Sequence, residues 1–115
     1  MLEFVLDDDG DTLYATSDDR GLLRSSVGID HQLRPFGGEL GGRCRAGLAI
    51  HPNGSLLICG SERGAILFDL RRGGRALVLE HEEAVVDVVF APDGEHAVAT
   101  AGATLVEWTL PEMGR

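Results

Sequence analysis

Short apolar runs separated by turn residues follow one another along most of the chain. The clearest runs are Leu48 to Ile50, Leu56 to Cys59, Ala65 to Leu70, Ala76 to Leu79, Val85 to Phe90, Ala97 to Thr100 and Leu105 to Leu110. Runs of this length, bounded by Gly, Pro, Asn and Asp, are typical of β-strands, and no segment shows the periodicity of an amphipathic helix. The pattern therefore predicts an all-β chain.

These runs recur at a fixed spacing. Residues 45–70 align without a gap on residues 85–110, at an offset of 40 positions that carries Arg45 onto Val85. The matched positions include Pro52 on Pro92, Asn53 on Asp93, Gly54 on Gly94, Phe68 on Trp108 and Leu70 on Leu110. A weaker third copy sets Asp9 and Gly10 on Asn53 and Gly54. A period of about 40 residues is typical of propellers and solenoids.

Each unit contains an apolar run, a turn and a second apolar run. In the turn, Pro fixes φ, Asn or Asp bonds its own backbone, and Gly adopts the positive φ that closes a hairpin. A third run follows in the middle and last units. A fourth run, Ala76 to Leu79, completes the middle unit, and residues 32–36 take a similar place in the first unit, where Pro35 indicates an edge strand. The sequence thus predicts four-stranded antiparallel blades over residues 1–42, 43–82 and 83–115. A β-sandwich is disfavoured, because it has no reason to repeat its turn and its aromatic at one offset.

The last unit resembles the WD-repeat family. The stretch EHEEAVVDVVFAPDGEHAVATAGATLVEWTL places His81, the Pro92-Asp93-Gly94 turn and Trp108 where that family has its conserved motif. In the middle unit, Pro52-Asn53-Gly54 and Phe68-Asp69 take the same places, and the first unit also resembles YVTN-type propeller repeats. The resemblance implies a partial β-propeller of about three blades, with these residues as its structural motif.

The chain departs from the family pattern at residues that build a buried hydrogen-bond network in WD repeats. Thr109 stands where the terminal Asp is expected, and Phe68 replaces a Trp and lacks an indole N–H. We therefore expect apolar packing, more than that network, to hold these blades together.

The number of predicted strands indicates that the chain associates with other blades. The third unit ends without an outer strand, and three blades are fewer than the roughly four that a closed propeller requires. An open arc would leave an apolar face of its first and last blades in water. We expect protein partners: a homo-oligomer, with two copies forming a two-fold ring of six blades, or remaining blades on another chain.

Charge and composition argue against nucleic acid and membranes as partners. Nineteen acidic and ten basic residues give a net charge of −9, which opposes binding to nucleic acid, and no apolar stretch is long enough to span a membrane. The absence of a visible secretory signal makes a reducing, cytoplasmic setting the expected one. Cys44 and Cys59 match no metal-ligand spacing or disulfide framework and are predicted to be buried, small hydrophobic residues.

No stretch of the sequence indicates a catalytic, cofactor or metal site. Asp7, Asp8, Asp9 and Asp11 do not have the spacing of a calcium loop, and the four His residues, His31, His51, His81 and His96, are dispersed. The glycine-rich stretch 37–42 predicts a mobile loop between blades rather than a phosphate site, since no helix is expected to begin there. The serines at positions 17, 25, 26, 55 and 61 lack a nucleophile motif.

Three functions remain open at this point. A non-catalytic module for protein–protein interactions agrees best with the acidic composition and the WD resemblance. A share in a propeller enzyme of hydrolase or lactonase type is the alternative that the YVTN-like first unit suggests. A self-assembling blade fragment without further activity is the third. Fold analogy is the only support for each.

Overall fold

The computed structural model describes residues 2–7, 10–17, 19–28 and 32–111. Asp8, Asp9 and His31, which the sequence analysis considered, lie outside these ranges. The strands are β1 (Leu2–Leu6), β2 (Thr12–Ser17), β3 (Gly21–Ser26), β4 (Arg34–Pro35), β5 (Ala46–Ile50), β6 (Leu56–Ser61), β7 (Gly64–Asp69), β8 (Arg75–Glu80), β9 (Asp87–Phe90), β10 (His96–Ala101) and β11 (Thr104–Thr109).

The strands form three antiparallel sheets in chain order. Blade 1 has the order β1-β2-β3-β4, blade 2 has β5-β6-β7-β8, and blade 3 has β11-β10-β9. The predicted all-β fold with an incomplete last blade is therefore confirmed for the described residues. In that part of the chain, no helix is long and apolar enough to cross a membrane.

Blade 2 is buried on both faces because it lies between the other two blades. Every residue of β6 and β7 is buried, and alternate residues point to opposite sides of the sheet. One side packs with blade 1 in a cluster that includes Tyr14, Leu22, Leu57, Ile66 and Phe68. The other side packs with blade 3 in a cluster that includes Leu56, Ile58, Leu67, Val88, Ala97 and Ala99. Two apolar layers therefore hold the three blades together.

The glycine-rich stretch differs from the predicted mobile loop. A short helix, α1 (Gly38–Gly41), begins there and connects blade 1 to blade 2, and Gly41 is buried. Gly37 has a φ of 83°, and a Cβ built on it would lie 2.5 Å from the Phe68 ring. The glycines therefore allow the backbone to approach the core closely, a property that composition alone does not distinguish from flexibility.

Two strands also differ in length from the sequence prediction. The weak run over 32–36 forms only the two-residue strand β4, which lies at the edge of blade 1 as Pro35 indicated. The run from Val85 forms a strand only from Asp87, and Val86 and Val89 are exposed. Val89 is exposed because no described residue covers the outer face of blade 3.

The prediction for the two cysteines is wrong in one respect. Cys44 and Cys59 are both buried, as predicted, but their sulfur atoms are joined in a disulfide with an S–S distance of 2.06 Å. The Arg45 backbone N–H donates to the Gly60 carbonyl, so the chain before β5 runs beside β6 and brings the two Cα atoms to 5.6 Å. Strand pairing, which the 15-residue spacing does not reveal, creates this bond. Because disulfides are typical of oxidising compartments, it does not favour the cytoplasmic setting, which stays a prediction.

Replacing both cysteines by alanine is expected to lower the free energy of unfolding by about 3 kcal/mol, since the disulfide closes a 15-residue loop in the unfolded chain. Urea denaturation with and without reductant measures this loss. The wild type should lose stability when reduced, and the double variant should not respond. A wild type with the same midpoint in both conditions would contradict the pairing.

Candidate functional site

The two Pro-Asx-Gly turns lie at the same end of their blades. In the β5–β6 turn, Asn53 Oδ1 accepts the Ser55 N–H at 2.9 Å, and Gly54 has a φ of 75°. In the β9–β10 turn, Asp93 Oδ1 accepts the Glu95 N–H at 2.7 Å, and Gly94 has a φ of 73°. The repeated sequence thus builds the same turn twice, with Pro52 and Pro92 preceding the Asx residues.

His51 connects these two turns across the boundary between blades. It is buried, and its Nε2 lies 2.7 Å from the Gly94 carbonyl oxygen of the next blade. Its Nδ1 accepts the Asn53 N–H at 3.2 Å, which leaves Nε2 to carry the proton and donate to Gly94. The ring also contacts Phe90 edge-on, with centroids 5.2 Å apart. From the sequence, His51 is only one of four dispersed histidines, because its partner Gly94 lies 43 residues away.

The other motif residues do not form the hydrogen-bond network of the WD family. Trp108 packs at the margin of the cluster between blades 2 and 3, and Phe68 lies in the cluster between blades 1 and 2. Among the described residues, no side-chain hydrogen bond joins the Trp108 indole to the His81 ring. Asp69 instead begins a 3₁₀ turn over Leu70–Arg72, where its buried carboxylate accepts the Arg71 N–H at 3.1 Å.

A cavity of about 860 Å³ opens at the opposite end of blade 2 from the Pro-Asx-Gly turns. The β6–β7 turn, the end of β8 and the segment before β5 surround it. Its charged lining consists of Arg43, Arg45, Arg63, Glu62, Glu80 and Glu82, and Ser61, Ile66, Val78 and His81 complete it. Arg45 donates to the Gly42 carbonyl at 2.7 Å and is thereby held in place. The three arginines are matched by three glutamates, so the lining carries no excess charge of either sign.

In the described part of the chain, no group of three or more His, Cys, Asp or Glu side chains is arranged to hold a metal ion. His31 lies outside the described residues, and His96 pairs with its neighbour Asp93, at 3.0 Å from Nδ1 to Oδ2. Ser55 donates to Asn53 Oδ1, and Ser61 donates to the Gly64 carbonyl at 3.2 Å.

Replacing His51 by alanine is expected to lower the free energy of unfolding by about 2 kcal/mol, because it removes a buried hydrogen bond and an aromatic contact between blades. His81→Ala is the matched control and should cost about 1 kcal/mol or less, since the His81 ring makes no hydrogen bond among the described residues. Chemical denaturation compares the two. A larger loss for His81→Ala would show that the WD network is present after all.

The Asp93 turn makes stability depend on pH. Hydrogen bonds from the Glu95 N–H and from His96 hold the pKa of the exposed Asp93 carboxyl below its usual value. The contribution of the Asp93 carboxylate to the free energy of unfolding is therefore complete above the ordinary pKa of about 3.9. It is lost as the pH falls through the lower pKa that Asp93 has in the folded state. Asp93→Asn should weaken the acid dependence of the urea midpoint, and Asn53→Asp should strengthen it. Identical acid profiles for all three proteins would contradict this.

No protein-family model and no curated protein matches the chain. Solved structures do match. U3-55K aligns with a TM-score of 0.71 and 17% identity over 96% of this chain and 36% of its own. The Cps50 (Swd1) β-propeller domain of Myceliophteria thermophila aligns with a TM-score of 0.66 and 17% identity over 95% and 38%. A gluconolactonase from Xanthomonas campestris aligns with a TM-score of 0.71 and 20% identity over 94% and 37%.

At these identities the matches show the fold and nothing finer. They include a gluconolactonase as well as a β-propeller domain. The chain spans less than two-fifths of the length of each of these three structures. Together with the sheet topology, they show that the three sheets are blades of a partial β-propeller.

Proposed function

We propose that this chain is a non-catalytic, WD-repeat-like propeller module that serves as a scaffold for protein–protein interactions. In this function it completes a larger propeller, either by self-association or with blades from another polypeptide. The Pro-Asx-Gly turns and the aromatic residues of β7 and β11 support the WD-like assignment. The exposed apolar side chains on the outer faces of blades 1 and 3 support the proposed association with further blades.

The outer face of blade 1 carries the observation on which this proposal rests. Val5 packs toward blade 2, so the alternation of β1 sends Phe4 and Leu6 to the opposite face. These two side chains are 68% and 50% exposed. Leu13 pairs with Leu6 on β2 and belongs to the same face. Phe4 and Leu6 thus form an exposed apolar patch beside the buried Ala15 and Leu23, and exposed apolar patches mark association sites in soluble proteins.

Comparison with blade 2 indicates what the outer face of blade 1 contacts. The residues that correspond to Phe4 and Leu6 in its repeat are Leu48 and Ile50, and both pack against blade 1. The outer face of blade 1 therefore has the same position and polarity as a face that contacts a preceding blade. By the same repeat, the outer face of blade 3 would contact a following blade, and its Val89 and Leu105 are 54% and 70% exposed.

The two terminal faces differ in polarity. At the offset of 40, His96 stands at the position of Leu56 and Glu107 at the position of Leu67, both of which are buried between blades 2 and 3. A second copy in a two-fold ring would set Glu107 against the apolar outer face of blade 1. Because burial of an unpaired carboxylate is costly, this favours completion by another polypeptide over the six-bladed homodimer.

Light scattering and binding of the dye ANS test the proposal. The chain should either assemble above its monomer mass of 12.3 kDa or bind ANS as a monomer. In both cases the double variant Phe4→Ser/Leu6→Ser should weaken the signal about tenfold, by loss of apolar surface. Glu39→Ser/Glu83→Ser, at two exposed positions outside the cavity, is the control and should change nothing.

A discrete mass of two chains would establish the homodimer, and a monomer that binds ANS would place the remaining blades on another polypeptide. A monomer that neither assembles nor binds the dye would contradict the proposal. Hydrolysis of lactone or ester substrates by the pure chain would contradict its non-catalytic part.

A further inference from the structure

The outer edge of blade 3 differs from the outer edges of the other two blades. In blade 1 the edge is β4, which has two residues and contains Pro35. In blade 2 the strand β7 is covered by β8. In blade 3 the corresponding strand is β11, and no described residue pairs with its outer side. Its sequence, TLVEWT, contains neither a proline nor a lysine, the residues that commonly protect an edge from further pairing.

The backbone groups that this edge presents follow from one hydrogen bond. The Leu110 N–H donates to the Glu95 carbonyl at 2.8 Å, on the side of β10. Since successive residues of a strand direct their N–H and C=O groups to opposite sides, the even-numbered residues of β11 face β10. Leu105, Glu107 and Thr109 therefore direct their N–H and C=O groups outward.

Blade 2 supplies a template for the strand that fits this edge. There the residues of β7 equivalent to those three, Ala65, Leu67 and Asp69, lie opposite Leu79, Leu77 and Arg75 of β8. Between them, Phe68 lies opposite Ala76, a small side chain. At the offset of 40, Phe68 becomes Trp108, so a strand that pairs with β11 needs a small residue opposite this larger ring.

Glu107, the middle one of the three outward-directed residues of β11, determines the charge that the added strand needs. Glu107 replaces Leu67, and side chains directly opposite each other in neighbouring strands interact. The residue opposite Glu107 is best matched by a basic side chain. The net charge of −9 on the chain also attracts a basic segment.

We propose that the β11 edge binds an extended, basic segment of a partner polypeptide, which adds antiparallel to β11 as the fourth strand of blade 3. From its N-terminal end, the segment has a polar residue opposite Thr109, a small residue opposite Trp108, Lys or Arg opposite Glu107, and two aliphatic residues opposite Val106 and Leu105. Main-chain hydrogen bonds hold it, and the alternating side chains select it.

This inference deepens the proposed scaffold function and rests on it, but it uses the strand edge rather than the blade faces. The test is therefore separate. The acetylated and amidated hexapeptide RAKVLE, which is the β8 sequence with Lys in place of its first Leu, is titrated into the full chain. Trp108 is the single tryptophan and neighbours the edge, so its fluorescence reports binding. Slower amide exchange at Leu105, Glu107 and Thr109 locates the peptide.

Glu107 allows matched variants. Glu107→Pro removes one outward N–H and no bond to β10, and it should weaken RAKVLE binding about tenfold. Glu107→Lys should instead prefer the peptide RAEVLE over RAKVLE by about threefold, the reverse of the wild type, because the cross-strand charge is exchanged. Glu107→Gln keeps the N–H and should bind both peptides equally.

The proposal is overturned if the wild type binds neither peptide, if Glu107→Pro binds as tightly as the wild type, or if the charge exchange has no effect. Concentration-dependent dimers that Glu107→Pro abolishes, without peptide binding, would also overturn it and assign the edge to a second copy. None of these results changes the dye-binding test of the apolar faces, so the two proposals can fail independently.

Discussion

Apolar packing between neighbouring sheets is the constraint on which this structure depends. Each blade is a sheet with two faces, and among the described residues only blade 2 has another blade packed against both of its faces. Its core strands β6 and β7 contain no exposed residue, because side chains alternate between a cluster with blade 1 and a cluster with blade 3. Blades 1 and 3 are therefore stable to the extent that blade 2 covers one face of each.

A hydrogen bond and a disulfide support this packing at the two ends of the blades. At one end, His51 reaches from the turn of blade 2 to the Gly94 carbonyl of blade 3. Near the other end, the disulfide between Cys44 and Cys59 ties the segment that enters blade 2 to its second strand. His51 joins two neighbouring blades, and the disulfide lies where the chain enters blade 2. Among the described residues, these two contacts are present where the hydrogen-bond network typical of WD repeats is not.

The two ends of the arc are not equivalent, and this difference shapes the functional proposals. The outer face of blade 1 is apolar and resembles the inner faces of the arc. Blade 3 combines a more polar face, through His96 and Glu107, with a strand edge that no described residue pairs with. Blade 3 is therefore suited to a specific polar or strand-mediated contact, while blade 1 is suited to burial against another sheet.

The sequence by itself determined the strands, the turns and the number of blades. Alternating apolar runs and Pro-Asx-Gly turns act over a few residues, and the 40-residue repeat then implies that each unit folds alike. Tertiary structure alone decided the partners of His51, the pairing of Cys44 with Cys59, and the helix in the glycine-rich stretch. These depend on distances between segments far apart in the chain, which hydrophobic periodicity does not encode. Both sequence and tertiary structure contribute to the exposed apolar faces. The blade count predicted that they exist, and the alternation of side chains in the sheets located them.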